Sequence, residues 1–91
     1  MKISNDAFNG LNQIATATKM DCWFWLEEKD GDDIIVDLEN DEELDYTTGL
    51  YQLSEGIVDP LSSMGLSKEE IEAVRYLFEF YGIPIDETVF C

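Results

Sequence analysis

The chain has 91 residues, with 21 Asp and Glu against five Lys and Arg, no His, and a formal net charge of −16. That length suits one small domain spanning 1–91, and the charge excludes direct binding to DNA, RNA or an anionic membrane, all of which repel it. Yet 45% of the residues are hydrophobic and 12% aromatic, too many for a disordered acidic tail, so the chain is expected to fold.

The first predicted element is a helix. Ser4 or Asn5 caps it, Asp6 sits in the first turn where the helix dipole favours negative charge, and Phe8, Leu11, Ile14, Ala15 and Thr18 recur at helical spacing. Gly10 weakens it. Residues 21–29 are aromatic-rich and read as a strand. Asp30-Gly31 then supplies the positive-φ pair of a type I′ hairpin turn. The return strand, Asp33 to Glu39, alternates, with Ile34, Val36 and Leu38 on one face and Asp33, Ile35, Asp37 and Glu39 on the other. This turn sets Trp25 opposite Val36 and Trp23 opposite Leu38, so one face holds both tryptophans and three aliphatics. Phe24, Leu26 and Ile35 make the second face apolar too, and a hairpin of this kind can be covered on both sides.

Residues 40–46 read as an acidic connector. Thr47 or Thr48 is expected to cap a second helix carrying Leu50, Tyr51, Leu53, Ile57 and Val58, ended near Pro60. Ser62, Ser63 and Gly65 form a turn. Ser67 and Glu70 make a capping box for a third helix, Lys68 to Tyr81, which Gly82 and Pro84 stop. Ile71, Val74, Leu77, Phe78 and Tyr81 form its main apolar face, Tyr76 and Phe80 widen it, and Lys68, Glu72, Arg75 and Glu79 are its polar stripe. The tail, Ile83 to Phe90, reads as a further strand. The expected fold is therefore α+β: a β-hairpin, extended to three antiparallel strands where the tail joins it, packed on two to three α-helices.

Much chemistry is missing. Without His there is no imidazole base and no usual zinc site. Cys22 and Cys91 match no metal or redox spacing and are read as reduced thiols, Cys22 in the first strand; pairing them would need an oxidising compartment. Acidic neighbours in the sequence disfavour a thiolate, which argues against Cys22 as a nucleophile. A calcium loop of the EF-hand kind started at Glu28 would use Glu28, Asp30, Asp32 and Glu39, but Asp33 stands where the turn needs Gly. No catalytic residues, cofactor or dedicated metal site are expected. The start Met1-Lys2-Ile3-Ser4-Asn5-Asp6 lacks an apolar core for a signal peptide, and no run approaches the ~18 apolar residues of a membrane span, so a cytoplasmic location is expected.

The candidate site is the acidic tract. Glu27 to Asp45 holds eleven carboxylates and one cation, Lys29, and Asp30 to Ser67 contains no Lys or Arg. A generic soluble surface intersperses both signs. The plain alternative is a solvated acidic face that keeps the protein soluble, against which the absence of cations over this stretch weighs. The candidate partner-binding residues are Asp30, Asp32, Asp33, Asp37, Glu39, Asp41, Glu42, Glu43 and Asp45. Alternate residues on one strand face stand ~6.6–6.8 Å apart. Carboxylates at Asp33, Asp37, Glu39 and Asp41, joined by those of the turn, then present a negative array to Lys and Arg built for phosphate.

In size and composition the whole chain resembles the small acidic inhibitors of phages and mobile elements, the DNA-mimic anti-restriction and anti-CRISPR proteins. Such inhibitors share no common fold, so the resemblance transfers no residue roles. It implies a non-enzymatic inhibitor, acting in a bacterial cytoplasm as monomer or homodimer, whose partner is a basic nucleic-acid-binding protein such as a CRISPR-Cas effector or restriction enzyme. An immunity protein or antitoxin neutralising a basic toxin would use the same physics. A third reading is an interaction module anchored by Trp23, Trp25, Tyr76 and Phe80, although the default place for each such ring is the core.

Overall fold

The computed structural model describes residues 2–90. In chain order the elements are α1 (Asn5–Ala17), β1 (Phe24–Lys29), β2 (Asp32–Asp37), β3 (Glu42–Leu44), α2 (Tyr46–Gly56) and α3 (Lys68–Phe80), with short 3₁₀ turns at Leu61–Met64 and Glu87–Phe90. The three strands form one antiparallel sheet in the order β1-β2-β3. The fold is α+β, as the sequence predicts.

Local chemistry explains most boundaries. The Ser4 hydroxyl accepts from the Ala7 N–H at 3.1 Å and starts α1. Asp30 (φ 54°) and Gly31 (φ 85°) both occupy the left-handed region, which is the type I′ requirement, and they fix the register that places Trp25 opposite Val36. The Ser67–Glu70 capping box is reciprocal, with bonds of 3.2 and 2.8 Å, and it opens α3. Gly82 at φ 68° closes that helix one residue earlier than the periodicity suggests.

Three elements differ from expectation. The third strand is Glu42–Leu44, inside the segment read as a connector, while the tail forms the 3₁₀ turn Glu87–Phe90 instead of pairing with the sheet. The cause is Asp37: its Oδ1 accepts from the Glu39 and Asn40 N–H groups at 3.0 and 3.2 Å, folding the chain back so that Glu42 lies opposite Asp37. The cap of α2 is Asp45, not Thr47 or Thr48; its carboxylate accepts from the Thr48 N–H at 2.8 Å. Cys22 lies in a turn ahead of β1 and is exposed, and its proposed pairing with Cys91 falls outside the described residues.

The core sits between the helices and one sheet face. Leu11 and Ile14 of α1, Leu50 and Leu53 of α2, and Val74 and Phe78 of α3 meet Phe24, Leu26 and Ile35 there. Burying each large aliphatic or aromatic side chain contributes about 1.5–3 kcal/mol. The α1–α3 contact depends on Gly10. A Cβ at that position would lie 2.8 Å from Val74 Cγ2 and 3.3 Å from the Glu70 carbonyl oxygen, so the residue that weakens α1 as an isolated helix lets α3 approach it closely. Among the described residues, no helix is long and apolar enough to cross a membrane.

Gly10→Ala therefore tests the packing against the propensity. Alanine favours an isolated helix by ~1 kcal/mol, but overpacking costs about 1–3 kcal/mol. The expected result is a lower urea midpoint than that of the unsubstituted chain.

Candidate functional site

The acidic hairpin divides into carboxylates that hold the fold and carboxylates that face outward. Asp33 belongs to the first group. The alternation of β2 turns it inward beside Ile35, and it is only 3% exposed. Its Oδ2 accepts from the Ile3 N–H at 2.9 Å and its Oδ1 lies 3.5 Å from Lys2 Nζ, so it ties the chain start to the sheet. Asp33 thus falls inside the core, and the predicted array of Asp33, Asp37, Glu39 and Asp41 is interrupted. Asp37, half-buried on the same face, shapes the β2–β3 turn and also accepts from Asn40 Nδ2 at 2.9 Å. Asp45 is exposed but caps α2.

Six of the nine candidates remain outward and exposed: Asp30 and Asp32 at the hairpin turn, and Glu39, Asp41, Glu42 and Glu43 at the opposite turn and on β3. The left-handed backbone of Asp30 and Asp41 fixes both turns. The outward acids thus form two groups at the two ends of β2, where the sequence pattern suggests one continuous row.

Hydrogen bonding shifts two of the fold-holding acids. Hydrogen bonds from Asn40, side chain first and then backbone, hold the Asp37 carboxyl below its usual range, and the Thr48 hydroxyl and N–H do the same for Asp45. The Lys2 ammonium is raised, chiefly by its hydrogen bond to Glu28. Tyr46 donates its hydroxyl to the Asp33 carbonyl at 2.6 Å, and burial, followed by the Asp33 charge, pushes its phenol up to about 12. Tyr46 also walls a cleft of about 580 Å³ between the hairpin turn and the start of α2, rimmed by Asp30, Asp32, Glu43 and Asp45. Lys29 lines the same cleft, so one ammonium already stands among these carboxylates. Among the described residues, no group of three or more His, Cys, Asp and Glu has metal-holding geometry.

The aromatic candidates separate as well. Trp25 is half-buried, while Trp23 is 60% exposed and Tyr76 and Phe80 are also exposed. Tyr76 stacks on Phe80 (6.1 Å), Phe80 meets Tyr81 edge-on (5.0 Å), and Tyr81 stacks on Tyr46 (5.5 Å), a run of rings ending at the acidic cleft. The sequence reading gave no binding role to Ile34, Val36 and Leu38. They floor a groove of about 280 Å³ on the sheet face turned away from the helices. The alternation in β2 was the available signal, but apolar residues on both faces hid which face would be covered.

No protein-family model matches the chain, and no curated protein or solved structure is significantly similar to it.

Two outcomes separate structural from outward acids. Asp33→Ala leaves the Ile3 N–H without its buried acceptor and should lower stability by about 2 kcal/mol, whereas Asp41→Asn should change it little; urea unfolding measures both. Asp37 and Asp45 titrate lower when folded than their ordinary value of 3.8. Their contribution is therefore full above that pH and is lost as pH falls through the folded values. The double variant Asp37→Asn, Asp45→Asn should be less stable than the parent at neutral pH, with the difference shrinking once pH falls below 3.8.

Proposed function

We propose that this chain is a non-enzymatic inhibitor whose acidic surface mimics nucleic-acid phosphates and blocks the basic nucleic-acid-binding site of a bacterial defence nuclease, a CRISPR-Cas effector or a restriction enzyme. One observation carries the reading: exposed carboxylates at Asp30, Asp32, Glu39, Asp41, Glu42 and Glu43 sit on the strands and turns of the sheet, in a stretch, Asp30 to Ser67, that has no Lys or Arg. Fixed turns hold these charges before any partner arrives, which limits the ordering cost of binding. The field of a −16 chain also steers a basic partner toward contact and keeps nucleic acid away.

The exposure of Trp23, Tyr76 and Phe80 favours a second reading, an interaction module held by aromatic anchors, with charge serving solubility. Salt separates the two, since screening weakens an acidic interface and leaves an aromatic one largely intact.

The test is displacement of labelled duplex DNA from a purified type II restriction endonuclease and from a guide-loaded Cas9, followed by fluorescence anisotropy. The chain should displace DNA from at least one of them, with an association rate that falls about tenfold or more between low and high salt. The variant Glu39→Gln, Asp41→Asn, Glu42→Gln, Glu43→Gln should lose most of that activity while unfolding normally in urea. Undiminished displacement by this variant, or none by the parent chain, overturns the reading.

A further inference from the structure

A sheet whose two faces are both apolar needs cover on both, and β2 has it on one. Ile35 points into the helical core, while Ile34, Val36 and Leu38 point the other way; Ile34 and Val36 are half-buried and Leu38 is 42% exposed. Trp25 stands opposite Val36 but is partly covered by α1, where it shares a cavity wall with Asn9, Asn12 and Thr16. The exposed Trp23, whose carbonyl accepts the Leu38 N–H at 2.8 Å, extends the strip beside Leu38. The groove over the aliphatic floor is flanked by Glu27 and Lys29 of β1 and by Asp41, Glu42 and Glu43 around β3. Four carboxylates and one ammonium thus frame an apolar strip.

The sheet edges are poor places for a partner strand. Asn12 of α1 closes on β1, its Oδ1 accepting the Leu26 N–H at 3.1 Å and its Nδ2 donating to the Leu26 carbonyl at 3.5 Å. The other edge, β3, has three residues, two of them Glu. That leaves the face. Strands lie ~4.7–4.9 Å apart, so β1 and β3 stand about 10 Å apart along Ile35 to Asp37, the residues that β3 pairs, a width that one α-helix of ~10 Å diameter covers. Layered folds cover an apolar sheet face with a helix in this way. A second copy of this chain is a poor occupant, because each brings a charge of −16 and sets carboxylates against carboxylates.

We infer that the outer face of the sheet docks an amphipathic basic helix of the partner protein, apolar side down on Ile34, Val36 and Leu38, with Lys or Arg flanks on Glu27, Asp41, Glu42 and Glu43. The inference rests on the acidic-inhibitor reading, since it presumes a basic partner, and it specifies the secondary structure and apolar content of the segment that is bound. The phosphate-like carboxylates then act in rate and orientation, and the aliphatic floor slows dissociation.

The test titrates the full chain, labelled with ¹⁵N, with two synthetic Leu/Lys peptides of identical composition. One is an amphipathic helix, and the other has its leucines dispersed around the helix. The helix should bind about tenfold or more tightly than its isomer, shift the amides of Ile34, Val36 and Leu38, and blue-shift tryptophan fluorescence. Val36→Thr with Leu38→Thr should abolish the preference; the shift map on the parent chain gives the same information without any variant. Equal binding of the two peptides, with shifts confined to the acidic residues, overturns the inference and leaves the acidic-inhibitor reading standing. Failure of both peptides to bind also overturns the inference, and the DNA-displacement result then decides separately whether that reading falls with it.

Discussion

The middle strand of the sheet carries the main constraint on this molecule. Its residues alternate between a side that must be sealed and a side that stays open, and the sealed side contains a carboxylate. Asp33 is tolerated there because the Ile3 N–H and the Lys2 ammonium meet its two oxygens and Tyr46 bonds its carbonyl. A buried charge without such partners would cost several kcal/mol. One residue therefore joins the chain start through its carboxylate and, through its backbone carbonyl and Tyr46, the middle strand to the beginning of α2. Around it the helices close on Phe24, Leu26 and Ile35, and the outer face is left open by the same alternation.

With five cations against 21 acids, the placement of each cation matters. Lys2 bridges Glu28 and Asp33 beside the hairpin. Arg75 bonds Glu79 and Glu87 at 3.0 and 2.9 Å and lies 5.8 Å from the Phe90 ring centre, so it clasps the C-terminal 3₁₀ turn to α3. The exposed pairs, Lys2–Glu28, Arg75–Glu79 and Arg75–Glu87, contribute little individually. Their effect is positional: both cations lie where the chain termini join the body, and neither dilutes the negative field of β3 and the turns.

The hairpin, its register, the α3 capping box and the Gly82 stop were legible in the sequence because each depends on chemistry within a few residues. Asp30-Gly31 needs nothing distant to form its turn, and Ser67 needs only Glu70. The third strand was not legible, because Glu42, Glu43 and Leu44 have poor strand propensity and are ordered by a turn that Asp37 organises and by pairing with β2. The burial of Asp33 was hidden for a related reason, since its partner Ile3 lies thirty residues away. Gly10 reads locally as a defect, and only the proximity of Val74 gives it a role. Composition and alternation put all nine candidate acids forward alike; separating Asp33, Asp37 and Asp45 from the other six required their burial and hydrogen bonds.

The open face also clarifies what the large negative charge does for a protein with exposed apolar surface. Trp23, Leu38, Tyr76 and Phe80 lie uncovered, a pattern that ordinarily invites self-association. Around the outer groove, contact between two copies of this chain would bring like charges together, because Glu27, Asp41, Glu42 and Glu43 line the same groove as the apolar floor. For a basic partner the same carboxylates change sign in their effect and become attractive. On the proposed reading, charge around an apolar strip selects the partner by penalising the wrong one, which is how specificity is obtained when the apolar contact by itself discriminates little. The acidic residues and the hydrophobic face are on that reading two parts of one surface, with the first deciding what may approach and the second how long it stays.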